Sequence, residues 1–309
     1  MPLHPVAQQI VDNSKTSGRP NAHLNPIPVA RENFESDFGA LTKPDIAVAR
    51  DVDIAVRDGV VPGRLYRASA EGIVPLVVYF HGGGWLLGSV DSHDVTTRKL
   101  ATASGCAVLS VGYRRGPESR FPVAVQDAVD AVRWAVAHAD ELGIDPSRLA
   151  VAGDSAGGNL ATVTALVLRD DAGPAITMQV LVYPVTTCDL DAGFDMAYEG
   201  IMLYRDEMQW HQDHYLASPD QVRDPLVAPL LADLRGLPPA LVLLAECDPI
   251  RPQGDLYAKA LRAADVPVEV YDAPTLVHGY FGLDELFPEA TEAMDWTAAR
   301  LRAAFGIAS

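Results

Sequence analysis

Short, continuous apolar runs recur along the chain from residue 74 onward. They lie at 74–80, 106–113, 148–153, 176–184, 240–246 and 267–273. Because these runs do not alternate with polar residues, they predict strands that are buried on both faces. Apolar residues with helical spacing occupy most of the intervening stretches, at 91–104, 123–139, 156–169 and 252–264. The pattern predicts an α/β fold in which a mainly parallel central sheet is flanked by helices.

Two segments depart from this alternation of strands and helices. Residues 1–45 begin with weak apolar periodicity and continue with many turn-forming residues, which predicts a short helix and an irregular arm packed on the main body. Residues 185–236 are too long and too apolar for a simple crossover, so we predict a helical insertion over the sheet. The aromatic and methionine side chains of the insertion have two interpretations, mutual packing or a substrate pocket. Residues 46–184 and 237–309 then form the main domain.

The charge and cysteine content limit the kinds of partner and compartment. With 24 Lys and Arg against 41 Asp and Glu, the formal net charge is −17, so we expect neither nucleic acid nor an anionic membrane as partner. Cys106, Cys188 and Cys247 are too few and too scattered for a disulfide framework or a thiolate metal site. The N-terminus lacks a signal-peptide pattern, and no run reaches the roughly 18 apolar residues of a membrane span. We predict a cytoplasmic location.

Residues 153–157 read GDSAG and match the G-x-S-x-G pattern of a nucleophilic serine. The motif lies between the strand-like RLAVAG and the helix-like NLATVTALVLRD. A chain that turns sharply from strand to helix holds its serine in a strained conformation, with the hydroxyl projecting into a cleft. Gly153 and Gly157 omit side chains that would collide across the turn. We predict Ser155 as the nucleophile, against the alternative of a glycine-rich helix start.

The sequence HGGG at 81–84 follows an apolar strand and predicts a second part of the same site. A serine that attacks an acyl carbon creates an oxyanion, which backbone N–H groups stabilise. Glycines let the main chain approach the substrate, so we predict Gly82, Gly83 and Ala156 as the oxyanion-hole donors. The alternative for this loop is a flexible turn. His81 belongs to the loop, and we predict that it braces the backbone rather than acting as a base.

A catalytic serine needs a base, and the base needs an acid that fixes its tautomer. In hydrolases whose serine lies in a G-x-S-x-G turn between a strand and a helix, the acid and then the histidine follow the serine along the chain. His278, in LVHGY after the last strand-like run, is the predicted base. His211 and His214 precede the strand that should carry the acid, and no further ligands join them in a metal site. Asp248, at the end of ALVLLAECD, is the predicted acid, with Glu246 as the alternative.

Together these pieces resemble the bacterial hormone-sensitive-lipase-like family of α/β-hydrolases, also called family IV esterases. The resemblance covers roughly residues 60–305 and rests on HGGGW at 81–85, YRRGPESRFP at 113–122, GDSAGGNLA at 153–161, YP at 183–184, DPIR at 248–251 and HGY at 278–280. It implies hydrolysis of carboxylic esters with short to medium acyl chains, without a metal or organic cofactor. It also implies a helical cap over the active site, built from the arm at 1–45 and the insertion at 185–236. Because family members are often dimers, a homodimer is a further expectation.

Three departures from the family pattern lie near the predicted site. Arg115 and Gly116 stand where the family commonly has Leu-Ala, Pro252 and Gln253 replace Asp-Glu after DPIR, and Tyr280 replaces a common Phe. The predicted triad is unaffected by these changes.

The same triad and oxyanion hole would also serve other acyl substrates, such as lactones, amides and acetylated sugars. A non-catalytic ligand-binding protein on this fold is disfavoured, because His278 is present whereas receptors resembling the family have lost that histidine. An interfacial lipase is disfavoured by the acidic charge and the missing secretion signal. We therefore predict a carboxylesterase whose partner is a small-molecule ester.

Overall fold

The computed structural model describes residues 3–307. Within them an eight-stranded sheet consists of β1 (Val48–Val56), β2 (Gly59–Arg67), β3 (Val74–Phe80), β4 (Ala107–Val111), β5 (Ile144–Asp154), β6 (Met178–Val182), β7 (Ala240–Cys247) and β8 (Val268–Val277). The order across the sheet is β1-β2-β4-β3-β5-β6-β7-β8. The β1-β2 and β2-β4 pairs are antiparallel, and every pair from β4 to β8 is parallel. The predicted α/β fold with a mainly parallel sheet is confirmed.

Helices cover both faces of this sheet. They are α1 (Pro5–Thr16), α2 (Ile27–Gly39), α3 (Asp94–Ser104), α4 (Val123–Ala137), α5 (Ala139–Leu142), α6 (Ala156–Asp170), α7 (Leu190–Gly193), α8 (Arg205–Tyr215), α9 (Arg251–Ala263) and α10 (Ala290–Phe305). Side chains of α4, α6 and α9 pack into the hydrophobic core on one face, and those of α3 and α10 pack into the core on the other. Strands between two such cores are apolar on both sides, which explains their unbroken apolar runs.

The N-terminal arm is more helical than predicted. The proline-containing stretch that we interpreted as irregular forms α2, and Pro28 lies in its first turn. Proline is tolerated there because the first N–H groups of a helix have no partner within it. The turn-forming residues before α2 form only a short 3₁₀ helix at Ala22–Leu24.

The insertion at 185–236 contains α7, α8 and three short 3₁₀ helices. Phe194 and Met208 are buried in the hydrophobic core, whereas Met196 is 58% exposed. Part of the apolar content of the insertion therefore serves packing. No helix within residues 3–307 is long and apolar enough to cross a membrane.

Candidate active site

Ser155 lies in the turn between β5 and α6, with φ 54° and ψ −117°. Non-glycine residues rarely adopt such angles, so the serine is strained as the GDSAG motif predicts. Its N–H donates to the carbonyl of Val182 in β6 (2.8 Å), and its carbonyl accepts the N–H of Val185 (3.1 Å). A Cβ on Gly157 would lie 1.9 Å from the carbonyl oxygen of Phe80 in β3. Glycine at this position therefore lets α6 approach the sheet.

Ser155, His278 and Asp248 form a continuous line of hydrogen bonds. His278 Nε2 lies 2.9 Å from Ser155 Oγ, and His278 Nδ1 lies 2.8 Å from Asp248 Oδ2. Asp248 follows β7 and is fully buried, and its Oδ1 accepts the N–H of Ile250 at 2.9 Å. A carboxylate on Nδ1 selects the tautomer whose Nε2 can accept the serine proton. The three residues singled out in the sequence thus have the relative positions that general-base activation of the serine requires.

The other ionisable residues considered in the sequence have different surroundings. Glu246, the alternative acid, accepts the N–H of Thr275 at 2.8 Å through Oε2. His214 Nδ1 lies 2.9 Å from the carbonyl oxygen of Trp210 within α8. Nowhere in 3–307 do three or more His, Cys, Asp or Glu side chains form a group that could hold a metal ion.

The prediction of Gly82 as an oxyanion donor is wrong. Its N–H donates to Asp154 Oδ1 at 3.1 Å and lies 3.3 Å from His93 Nε2. A donor engaged with a buried carboxylate is not available to the oxyanion of a substrate. The sequence alone did not distinguish which glycines of HGGG keep their N–H groups free.

The next two glycines of the loop have available donors. Gly83 and Gly84 both line the cavity beside Ser155, and their N–H groups bond to no other residue in the described part of the chain. Their φ angles of +106° and +59° favour glycine. Ala156 is the first residue of α6, so its N–H also lies outside the helical hydrogen-bond pattern.

A buried polar network supports the HGGG loop, and the sequence motifs alone did not reveal it. Asp154 accepts hydrogen bonds from the Tyr79 hydroxyl (2.7 Å) and from Gly82, and its Oδ2 lies 3.3 Å from His93 Nε2. Burial acts to raise the pKa of Asp154, but the charge and hydrogen bond of His93 hold it below its ordinary value. Asp154 is part of the GDSAG motif, which is a usable signal, whereas His93 belongs to no motif.

His81 braces the same loop from within the core, as predicted. Its Nδ1 lies 2.8 Å from the carbonyl oxygen of Gly82, and its ring stacks on Tyr113 with the centroids 4.3 Å apart. Burial, and then the charge of His93, lower the pKa of His81 to about 3, so the ring is neutral near pH 7.

The departures from the family pattern serve local packing. Arg115 donates to the carbonyl of Gly88, in the loop after HGGGW. Gln253 is buried, and its Oε1 accepts the N–H groups of Thr186 (2.9 Å) and Thr187 (3.2 Å), which ties α9 to the start of the insertion. Tyr280 is fully buried and does not line the cavity.

A cavity of about 580 Å³ opens beside Ser155 and His278. Its walls come from the main domain, from the arm and from the insertion, and apolar side chains such as Val11, Phe34 and Met208 line it. This volume is typical of sites that bind small organic ligands, which occupy roughly 300–1,000 Å³.

Comparisons with known proteins agree with this geometry. A family model described as the alpha/beta hydrolase fold matches residues 77–282, which is more than half of the chain. The carboxylic ester hydrolase LipN of Mycobacterium tuberculosis is 39% identical over 92% of this chain and 78% of its own length. The ethyl acetate hydrolase of Pseudomonas putida is 37% identical over 93% of each chain. A solved structure of an esterase from Pyrobaculum calidifontis superposes with a TM-score of 0.91 at 36% identity, covering all of both chains.

The family match, these relatives and the eight-stranded sheet lead to one assignment. The chain belongs to the hormone-sensitive-lipase-like family of α/β-hydrolases, the serine ester hydrolases also called family IV esterases.

Proposed function

We propose that this protein is a carboxylesterase that cleaves short- to medium-chain acyl esters through a covalent acyl-enzyme. Ser155 is the nucleophile, His278 the general base and Asp248 the acid that orients the base. One observation carries the proposal: the line of hydrogen bonds from Asp248 through His278 to Ser155, at 2.8 and 2.9 Å, which opens on a largely apolar cavity. Relatives named as ethyl acetate hydrolase and carboxylesterase support the choice of substrate class.

The proposed reaction uses groups of the chain itself. The ester carbonyl oxygen binds among the N–H groups of Gly83, Gly84 and Ala156, which then stabilise the oxyanion. Ser155 Oγ attacks the carbonyl carbon while His278 Nε2 takes its proton, and the same proton passes to the departing alcohol. Water, activated by His278, cleaves the acyl-enzyme and releases the carboxylic acid.

The arm at 1–45 and the insertion at 185–236 form, in this proposal, a cap over a catalytic domain made of 46–184 and 237–309. Lining residues from both segments support this division, because each segment supplies part of the cavity wall above Ser155. The cavity of about 580 Å³ is also suited to small esters rather than to long triglycerides.

Replacing Ser155 by alanine tests the proposed reaction. We expect kcat on p-nitrophenyl butyrate to fall about 10⁴-fold or more, because the nucleophile and the acyl-enzyme are both lost. Ser110→Ala is the matched control, since Ser110 is a fully buried serine in β4 and should leave activity nearly unchanged. A Ser155→Ala enzyme that kept most of its activity, or a wild type that no fluorophosphonate labels, would refute the proposal.

A further inference from the structure

Two polar side chains on one face of α8 interrupt the apolar lining of the cavity. Glu207 and His211 are one turn apart, line the cavity and are only 9% and 5% exposed. His211 Nε2 lies 3.9 Å from Glu207 Oε1, and His23 Nδ1, from the arm, lies 4.0 Å from Glu207 Oε2. Both distances exceed that of a hydrogen bond. The three side chains are therefore neighbours that do not satisfy one another.

His211 lies directly against the HGGG loop. A Cβ on Gly84 would be 2.2 Å from His211 Nδ1 and 2.4 Å from both Cγ and Cε1, so the ring occupies the space that glycine leaves open. His211 is thus adjacent to a loop whose N–H groups receive the ester carbonyl in the proposed reaction, and Glu207 lies one turn away on α8.

Several polar atoms of this cluster have no partner in the protein. His211 Nδ1 and His23 Nδ1 are buried and accept or donate no hydrogen bond within the described residues. The Glu207 carboxyl likewise makes no hydrogen bond to another residue between 3 and 307. Since buried polar groups in folded proteins are nearly always hydrogen-bonded, partnerless ones in a cavity wall indicate a ligand that completes them.

The charge states of the pair indicate an uncharged ligand group. Burial raises the pKa of Glu207 to about 7, although the charge of His278 opposes the shift. Burial, followed by the charges of His214, His23 and His278, lowers the pKa of His211 to about 3. At neutral pH about half of the Glu207 carboxyls are protonated, and more are at lower pH. In that form the carboxyl, like the neutral imidazole of His211, offers a donor and an acceptor. A hydroxyl group matches both, whereas a cationic group would require the ionised Glu207 that burial disfavours.

We propose that Glu207 and His211 form a subsite that hydrogen-bonds a hydroxyl group carried close to the scissile ester, so that the enzyme prefers hydroxylated esters to alkyl esters of the same shape. This inference rests on the proposed esterase function and adds the substrate class of that site.

Isosteric ester pairs test the subsite. In each pair the two esters differ only in a hydroxyl group that is replaced by a methyl group. The acyl-side pair is methyl 3-hydroxybutyrate and methyl 3-methylbutyrate, and the alcohol-side pair is 2-hydroxyethyl acetate and propyl acetate. Acid release at constant pH gives kcat/KM for each ester. We expect the wild type to favour the hydroxylated member of at least one pair. In Glu207→Leu and in His211→Phe that ratio should fall about tenfold, as expected for the loss of one hydrogen bond, because kcat/KM falls further for the hydroxylated ester than for the alkyl ester.

Two further variants separate hydrogen bonding from packing. Glu207→Gln keeps a donor and an acceptor and should retain the preference within about threefold. Met208→Leu, at the neighbouring position of α8 in the same cavity wall, should leave the ratio unchanged. Thermal unfolding of each variant shows whether it is folded. If Glu207→Leu does not fold, His211→Phe alone tests the subsite.

The inference is overturned if the ratio is unchanged in the folded variants, or if both esters of a pair lose activity equally. Neither result contradicts the proposed function, since hydrolysis of the alkyl esters by the wild type would still measure the activity of Ser155. Failure of the proposed function is a different result, in which the wild type cleaves no ester, and the subsite would fall with it.

Discussion

At the scale of single residues, two buried carboxyl groups near Ser155 have opposite pKa shifts. Asp154 contacts His93 and accepts hydrogen bonds from Tyr79 and Gly82, so its pKa stays below the ordinary value despite burial. Glu207 is buried without such donors, and its pKa rises to about 7. Partners rather than depth thus decide which carboxyl is charged. Asp154 holds the HGGG loop in place, and Glu207 is suited to hydrogen-bond a ligand.

Replacing Glu207 by glutamine should remove a pH-dependent loss of stability. The carboxyl has an ordinary pKa of 4.5 and a folded pKa of about 7, so between these values the folded state binds more protons than the unfolded state. The free energy of unfolding of the wild type therefore falls as pH rises through this window, by as much as about 3 kcal/mol. Urea unfolding at about pH 5 and about pH 8 measures the effect.

His23, His211 and His278 face the Glu207 carboxyl and are present in both proteins, so the two proteins differ only in the side chain at position 207. The stability difference between variant and wild type should consequently grow with pH. Equal differences at the two pH values would show that the carboxyl does not change protonation in this range.

At the scale of elements, the sequence predicted the strands whose hydrophobic pattern depends on burial alone. The apolar runs located the six strands from β3 to β8, because a strand between two helical layers has no polar face. Helix α2 was missed because Pro28 looks like a turn former unless its place in a first turn is known. Helix α10 was not predicted, although its apolar residues contribute to the core.

The site was predictable to the extent that each role has its own motif. Ser155, Asp248 and His278 follow from strand ends and chain order. Gly82 was misassigned, because its N–H is engaged by Asp154 and lies close to His93. His93 directly precedes α3, and no motif indicated that it would contact the HGGG loop. The position of His211 against Gly84 depends on how the insertion packs, which periodicity does not specify.

Gly157→Ala should disrupt the contact between α6 and β3. The new Cβ would lie 1.9 Å from the backbone oxygen of Phe80, which no side-chain rotation relieves. We expect the free energy of unfolding to fall by about 3 kcal/mol, and kcat to fall because the helix start also carries Ala156. Urea unfolding and ester hydrolysis measure the two effects.

Gly39→Ala provides the control, because a methyl group added there, at the end of α2, would meet no atom within 4 Å. It should change stability by less than about 1 kcal/mol. If both variants lost the same free energy of unfolding, the close approach of α6 to the sheet would not explain the glycine at position 157.

At the scale of the whole molecule, the arm is attached to the main domain close to the active site. Arg31 of α2 binds both carboxylate oxygens of Glu118 (2.9 and 2.7 Å). The same guanidinium donates to the carbonyls of Leu86 (2.8 Å) and Gly116 (2.6 Å), beside the HGGG loop. One side chain thus connects the arm to main-chain carbonyls on both sides of the loop region next to HGGG.

Arg31→Ala should loosen the arm without removing any catalytic group. Loss of four hydrogen bonds to the main domain should raise KM for small esters several-fold, with a smaller effect on kcat, because the arm forms part of the cavity wall. Limited proteolysis followed by mass spectrometry should show faster cleavage within residues 1–45. Ester kinetics on the same preparations give the two constants.

Arg50→Ala is the control, because Arg50 pairs with Glu141 outside the arm, both side chains are exposed, and neither lines the cavity. Exposed pairs contribute about 0–1 kcal/mol, so this variant should resemble the wild type in proteolysis and in KM. If both arginine variants behaved alike, Arg31 would not be the attachment of the arm.

The wall of the cavity that comes from the arm has an evolutionary consequence. None of Ser155, Asp248 and His278 lies in the first 45 residues, yet α1 and α2 supply lining side chains such as Val11 and Phe34. Mutations in the arm can therefore change which esters are accepted while the chemical step is inherited intact. Among descendants of this chain, substitutions that change substrate preference should therefore accumulate in the N-terminal segment before any appear in the turn that holds Ser155.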